Sequence, residues 1–396
     1  MTIVECVLLS LAAFSAVTLW IAYASVASRL LFRTAAATRE GEPVSILKPL
    51  KGVDEGLLEN LRAIAQQDHQ DFEIIFGCED PNDPALEVAR AVAREFPQRR
   101  IVVASGAAED GLNPKVRLLR RLIESARHEW ILISDSNVRP PADYLRGMQQ
   151  RQQQTGAHLV HSMLCGVGGK SLGGRLEELQ LNGWVAASVC MIDLFGRPCV
   201  IGKSMLMTQT ALGEVGGLVA VKDILAEDYV LGTRLIDSGH RVALSPQPLP
   251  VVTGRSGVQH FFNRHVRWGQ MRRRISPFFF CAELMANPTP FLLLLLVSSD
   301  GSLRALAGCL VLLKWLVDAV VYRLLSPQPR LRTLLLMPFK DAMVLTMWLV
   351  SALRTTVIWR GHRMLVGPGS RLLPLPENAR GRSSRLSWLR RVLLRV

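Results

Sequence analysis

The sequence is poor in the residues that build covalent or zinc-based scaffolds. It has 7 cysteines in 396 residues, an odd number with no C-x-x-C pair, so neither a disulfide framework nor a zinc module is encoded. A reducing compartment fits that usage. His158, His161 and His265 are not at metal-ligand spacing with one another. Acidic residues are also scarce, 33 against 47 Lys+Arg, which leaves a net charge of +14. Aromatic residues make up 6% and are not interleaved with a basic groove, which argues against nucleic acid as the partner of that charge. Charged residues total only 20% and the mean hydropathy is +0.22, which excludes a disordered chain and argues against an ordinary soluble enzyme. No internal repeat or low-complexity tract is present. The arginines gather beside apolar segments, as in a membrane protein facing anionic lipid.

What is present begins with an apolar run, Val7 to Val26, long enough to cross a bilayer. Only Glu5 precedes it, whereas Arg29, Arg33 and Arg39 follow. A secretory signal would carry its positive residues first, so this run reads as a retained anchor. The positive-inside bias puts the N-terminus outside and the chain after Arg29 in the cytoplasm. Further apolar segments are Phe291 to Val297, Leu303 to Leu325 and Met343 to Ile358. Lys314 and Asp318, four apart, can neutralise one another on one helix face. Three full C-terminal spans would export the Arg-rich tail. One segment is therefore expected to be re-entrant or interfacial, with Pro338-Phe339-Lys340-Asp341 as the break. Leu386, Leu389, Leu393 and Val396 recur at helical spacing among arginines, as in a membrane-surface helix.

Between these regions, residues 34–276 alternate β-rich runs with helical patterns, which predicts an α/β fold with a mostly parallel sheet. The strands are expected at Val44–Leu47, Phe72–Gly77, Ile101–Ala104, Trp130–Ser134, Leu159–Leu164, Val200–Met207 and Arg241–Ser245. Helices are expected at Leu57–Gln67, Pro84–Phe96, Val116–Arg127, Arg175–Ala187 and Tyr229–Ser238. Ligands of such sheets bind beyond the carboxyl ends of the strands. Three acidic sites stand there: Asp80 after Glu79, Asp135 in Ser-Asp-Ser-Asn, and Asp228 in Ala-Glu-Asp-Tyr. Taken singly, Asp83 or Asp228 could merely cap a helix. Asp135 is harder to dismiss, because a carboxylate ending a buried strand needs a partner, and a divalent cation bridging to phosphate supplies one. Arg264 and Arg267, three apart, share a face if helical and can grip a diphosphate. Lys48 and Lys115, alone, read as solvated surface lysines.

Six short motifs follow one another in order: Leu-Lys-Pro-Leu-Lys-Gly (47–52), Glu-Asp (79–80) with Asp-Pro-Ala (83–85), Gly-Leu-Asn-Pro-Lys (111–115), Ser-Asp-Ser-Asn (134–137), Ala-Glu-Asp-Tyr (226–229) and Arg-x-x-Arg-Trp (264–268). In this order they resemble the ceramide glucosyltransferase family, within the processive-synthase-like GT-A glycosyltransferases. The hopanoid-biosynthesis-associated glycosyltransferases look similar. The resemblance runs from the N-terminal anchor to the C-terminal helices, including the Trp359-Arg360-Gly361 step. It implies a GT-A, Rossmann-like catalytic domain over 34–276, an anchor over 1–30, transmembrane or interfacial helices over 277–360, and a basic tail over 361–396.

The resemblance also implies roles. Asp80 would contact the uridine of a UDP-sugar, with Glu79, Lys48 and Lys115 alongside it as donor-binding residues. Asp135, with Asn137 in place of a second acid, would hold Mg²⁺ or Mn²⁺. Asp228 would be the general base, and Arg264, Arg267 and Trp268 would close over the diphosphate and acceptor. The implied reaction is inverting transfer of a hexose, most simply from UDP-glucose, to a membrane lipid hydroxyl such as that of ceramide, with the bilayer as partner and no nucleic acid. A hopanoid-directed N-acetylglucosaminyltransferase or a polysaccharide synthase is the alternative. The Trp184 to Met191 and Phe278 to Phe280 segments could line the lipid's approach. Cys199 stands near the acceptor or serves as a buried structural thiol.

Overall fold

A computed structural model describes residues 1–31, 41–197, 199–359 and 362–375. Arg33, Arg39, Arg360, Gly361 and the expected helix through Leu386, Leu389, Leu393 and Val396 lie outside the described residues.

Seven strands form one sheet: β1 (Val44–Pro49), β2 (Phe72–Cys78), β3 (Arg100–Ser105), β4 (Trp130–Ser134), β5 (Leu159–Val167), β6 (Ser204–Thr208) and β7 (Val242–Val252), in the order β3-β2-β1-β4-β6-β5-β7. All neighbours pair in parallel except β6, which runs antiparallel to both β4 and β5. Both faces are covered. Ile46, Ile74, Leu132 and Leu206 enter one core, while Leu47, Ile75, Ile133 and Met205 enter the other. That is why β1 and β2 read as unbroken buried runs rather than alternating ones.

Two strands depart from expectation for identifiable reasons. β6 begins four residues later than Val200, because the backbone groups of Gly202 serve side chains instead of the ladder. β7 runs on to Val252 through Pro246, Pro248 and Pro250; it is the edge of the sheet, with β5 as its one neighbouring strand among the described residues and a single bridge to Val138 on its far end, and prolines lacking an N–H are tolerated there. The helix Pro114–Ile123 starts two residues early because Asn113 caps it, accepting from the amides of Lys115 (2.9 Å) and Val116 (3.1 Å), with Pro114 in the first turn. This sets Lys115 inside the protein. The helix expected at Arg175–Ala187 is instead three pieces: Leu172–Gln180, a π-turn at Leu181–Val185 where Gly183 leaves helical geometry, and Ala186–Leu194.

Two helices, Ile3–Leu31 and Gly301–Leu325, are long and apolar enough to span a bilayer. A third candidate is the pair Pro277–Met285 and Thr289–Leu295, bent by 46°. The break in the membrane region therefore falls at Ala286–Pro288, not at Pro338–Asp341. Those residues instead open the helix Met337–Leu353, where proline's missing N–H costs nothing. The Met343–Ile358 segment likewise ends as helix at Leu353 and turns into a strand. Lys314 and Asp318 do pair, at 2.7 Å, and Lys340 and Asp341 join them (Lys340 Nζ–Asp341 Oδ1, 2.9 Å).

Part of the expected tail is folded. β8 (Thr356–Trp359), β9 (His362–Val366) and β10 (Leu372–Leu373) make a small antiparallel sheet. Val357, Met364, Val366 and Leu372 pack on Leu225, Leu112 and Met271. The sheet thus leans against the loop that leads into Asp228.

Candidate active site

The carboxyl ends of β1 and β4 lie side by side and carry the first cation. Lys48 is fully buried rather than solvated, and its Nζ donates to Ser134 Oγ (3.2 Å) and the Asp135 carbonyl (2.7 Å). Burial pushes its pKa down to about 7, with Asp135 opposing the shift. Lys115 is likewise buried. Its Nζ reaches Asp135 Oδ1 (3.1 Å), Glu227 Oε1 (3.1 Å) and the Gly202 carbonyl (3.0 Å). Burial acts to lower the Lys115 pKa, but Asp135, Glu227 and Asp228 together outweigh it and the net shift is upward. One ammonium thus ties Asp135, after β4, to the acidic turn at Glu227 and Asp228. These groups, about 90 residues apart in the chain, form one polar cluster.

A third lysine completes it. Lys203 Nζ lies 2.8 Å from Asp135 Oδ2 and donates to Asn137 Oδ1 at 2.8 Å. Burial pushes Lys203 down; it acts to raise Asp135, but Lys115 and Lys203 outweigh it and hold that carboxylate well below its usual range. Lys203 carries no motif. Its only sequence signal is that a lone lysine opens the apolar Met205–Met207 strand.

Asp135 Oδ2 and Asn137 Oδ1 converge on one point, where the Lys203 ammonium sits. Two oxygens aimed at one cation fit a Mg²⁺ or Mn²⁺ that takes its remaining ligands from phosphate. Among the described residues no group of three or more His, Cys, Asp or Glu side chains could hold a metal unaided. The Lys115 and Lys203 ammonium groups are already paired with Asp135 and Glu227, so an incoming diphosphate requires further positive charge.

Asp228 sits in the first turn of the helix Glu227–Asp237. Its Oδ1 accepts from the Tyr229 amide (2.8 Å) and its Oδ2 from the Gly202 amide. Burial, then the neighbouring Glu227, push its pKa up to about 6, against Lys115 and the two amides. Asp228 is not the helix cap, a position that Ala226 holds, and a carboxylate shifted upward in this way is chemically able to accept a proton near neutral pH. Gly202 is required here, since a Cβ on it would stand 2.8 Å from Asp228 Oδ2 and 2.9 Å from Asp228 Cβ. Gly202→Ala is therefore expected to displace the carboxylate and lower turnover about tenfold or more, with little change in nucleotide affinity, as steady-state kinetics and nucleotide titration would report. The preceding loop is pinned from outside: Ser370 Oγ accepts from the Ala226 amide (3.1 Å), the Ser370 carbonyl from the Leu225 amide (2.9 Å), and Leu372 N–H donates to the Asp223 carbonyl (2.7 Å).

The helix Val258–Ile275 brings the arginine motif. Arg264 pairs with Glu177 Oε1 (3.2 Å), and His265 approaches Glu177 Oε2 (3.3 Å). Burial acts to raise Glu177, but His265 and Arg264 hold it down to about 2. Trp268 meets the His265 ring edge-on at 5.0 Å and packs on the sheet's core. Arg264 lies within electrostatic reach of Lys203, which places this helix beside the strand-end cluster. Arg267 adds its charge on the same helix, acting with Arg264 on His260.

The first acidic motif stands apart. Glu79 pairs with Arg117 (3.1 Å), and Asp80 is exposed, accepting from the Asn82 amide (2.9 Å) beyond β2. Its neighbour Asp83 does the local work, accepting from the Ala85 amide (2.9 Å) and the Gly52 amide. Asp135, Asn137, Asp228, Lys48 and Lys115 are thus brought into one region, Arg264 flanks it, and Asp80 and Glu79 lie two strands away on the rim. Sequence reasoning missed Lys203, Glu177 and Gly202.

Comparison with known proteins gives the following. The family model of "Glycosyl transferase family 21" matches residues 7–372. Ceramide glucosyltransferase 1 of Caenorhabditis elegans is 27% identical over 242 residues, covering 61% of this chain and 52% of that protein. Ceramide glucosyltransferase 3 of the same organism is 24% identical over 349 residues, covering 84% of this chain and 74% of that protein. The chain thus spans about half the length of the first of these relatives. Among solved structures, the Pyrobaculum calidifontis mannosyltransferase PcManGT, in complex with GDP-Man and Mn²⁺, superposes with a TM-score of 0.52 at 13% identity, covering 89% of this chain and 98% of that one. At that identity the likeness concerns the fold, the mixed α/β GT-A arrangement.

Proposed function

Since the chain belongs to glycosyl transferase family 21, we propose that it moves a hexose from a UDP-sugar to the hydroxyl of a membrane lipid, with UDP-glucose as donor and ceramide as acceptor. The observation that carries this reading is Asp228, a carboxylate with its pKa near 6, joined through Lys115 to Asp135 at the sheet's ligand-binding end. The C. elegans relatives bear the name of that activity.

In this mechanism Asp228 accepts the proton of the lipid hydroxyl as its oxygen attacks the anomeric carbon and UDP departs. One base without a separate nucleophile makes this a single displacement with inversion. The Gly202 and Tyr229 amides hold the carboxylate in place. Lys115 and Lys203 present positive charge to the departing diphosphate, and Arg264 and Arg267 add to it from the helix above. Asp135 and Asn137 would hold Mg²⁺ or Mn²⁺, which when bound neutralises charge on the diphosphate. Asp80 reads the nucleoside from the rim. The catalytic domain (34–276) faces the cytoplasm, with Arg29 and the Arg272–Arg274 run at that membrane surface.

The test is to incubate purified chain with labelled UDP-glucose or UDP-N-acetylglucosamine against a lipid panel. Label entering the organic phase with ceramide and UDP-glucose supports the reading. Label in an insoluble polymer, or in no product, refutes it. The same assay run against pH should show kcat/KM rising with an apparent pKa of about 6, because protonated Asp228 cannot act as base. A profile flat from pH 5 to 8 would remove Asp228 from that role.

A further inference from the structure

One cavity stands apart from the reacting groups. It lies beneath the Arg264 helix, among the apolar helices, and has a volume of about 60 Å³. One water needs about 10–15 Å³ of such space, so the cavity holds on the order of five water-sized groups. That admits the polar end of a lipid but no hexose or nucleotide.

Its walls are unusually polar for such a place. Lys314 and Lys340 line it, paired with Asp318 and Asp341, and Tyr23 donates to Asp318 Oδ1 at 2.6 Å. An ammonium has three donors, and these carboxylates leave at least one on each lysine. Glu283, also in the wall, accepts from the Trp184 indole N–H (3.1 Å) and from Arg272 twice (2.8 and 3.0 Å). Gln180 also lines the cavity; it is only 4% exposed, and its Oε1 has no partner. A buried amide oxygen left unsatisfied is costly, and Gln180 is one of the residues that line the cavity. Ionisable groups inside apolar helices commonly mark a ligand path.

We propose that this cavity is the docking site for the uncharged, hydrogen-bonding head of the lipid acceptor, with the Gln180 amide oxygen taking a head-group O–H or N–H and the Lys314 and Lys340 ammonium groups donating to its oxygens. This rests on the lipid-transfer reading above and deepens it. The charges of the wall cancel, two lysines against two aspartates and Arg272 against Glu283, so the site selects a neutral hydroxyl- or amide-bearing head over an anionic phosphate one. Its position suits delivery: Cys199 lies within electrostatic reach of both Arg272, in the cavity wall, and Asp228, the base. Ala286 and Asn287, at the break between the bent helices, form another part of the wall.

The experiment compares Gln180→Leu and Ala286→Leu with wild type in detergent micelles, using short-chain ceramide and UDP-glucose. The first removes the orphan acceptor; the second adds bulk at the helix break that lines the cavity. Both are expected to raise the apparent KM for ceramide about tenfold, Gln180→Leu through the loss of one buried hydrogen bond and Ala286→Leu through lost space, while the UDP-glucose KM stays within about twofold. Unchanged ceramide KM in a variant that binds UDP-glucose normally would overturn the proposal. Failure of the transfer reading looks different: wild type then makes no glycolipid. In that case retention of tritiated short-chain ceramide still falls about tenfold in the variants if the cavity binds head groups, and is equal in all three chains if it does not.

Discussion

Asp228→Asn is expected to reduce kcat by about 10²–10⁴-fold, the usual contribution of a positioned general base, while UDP-glucose affinity stays within a few-fold. The two effects separate because of where the groups sit. Asp228 is bound by backbone amides of Gly202 and Tyr229, and an asparagine oxygen can accept one of these bonds while its NH₂ cannot replace the other. The side chain therefore loses its proton acceptor and one of its two amide bonds, a change confined to the Gly202–Tyr229 contact. The ammonium groups of Lys115 and Lys203 remain to meet the diphosphate. Single-turnover rates together with a nucleotide titration measure both quantities. A variant turning over within a few-fold of wild type would show that another group takes the proton.

Lys115→Met is the second large effect, and it strikes stability first. Lys115 bonds to Asp135, Glu227 and the Gly202 carbonyl, all within 3.1 Å. Methionine keeps the volume and removes the charge, leaving carboxylates from two chain segments facing one another. Breaking one partner of a buried ion pair costs about 3–5 kcal/mol, because the remaining charge is left uncompensated. The same loss must appear in the pH profile. Lys115 acts to lower the Asp228 pKa, so its removal raises that pKa further and moves the acid limb of kcat/KM to higher pH. Chemical denaturation in detergent reads the first consequence and the pH profile the second. A variant as stable as wild type, with its acid limb still near pH 6, would contradict the ion network described above.

The parts of this molecule that follow local rules were legible in the sequence. β4 spans Trp130–Ser134 as its pattern indicates, because a buried five-residue run ending in a carboxylate admits few other structures. The i,i+4 pair Lys314–Asp318 was equally local. Readings failed where distant segments decide. Pro246, Pro248 and Pro250 hid the second half of β7, since only the sheet order reveals that it is an edge. The folding back of β8–β10 depends on Leu225 and Met271, which no local pattern links to Val357. Lys203 enters the site because the antiparallel pairing of β6 with β4 sets Ser204 opposite Ser134, so that Lys203 falls beside Asp135. Lys48 and Lys115 looked like surface lysines for the same reason: their carboxylate and carbonyl partners come from other strands and loops.

The most direct test of this arrangement is an experimental structure of the full chain with UDP and Mn²⁺. The reading requires the diphosphate between Asp135, Lys203 and the Arg264–Trp268 helix, with the uracil toward Asp80 and the Asp228 carboxylate facing the sugar position. UDP bound at the opposite, amino end of the sheet, or with its diphosphate out of reach of Asp135 and Lys203, would contradict it.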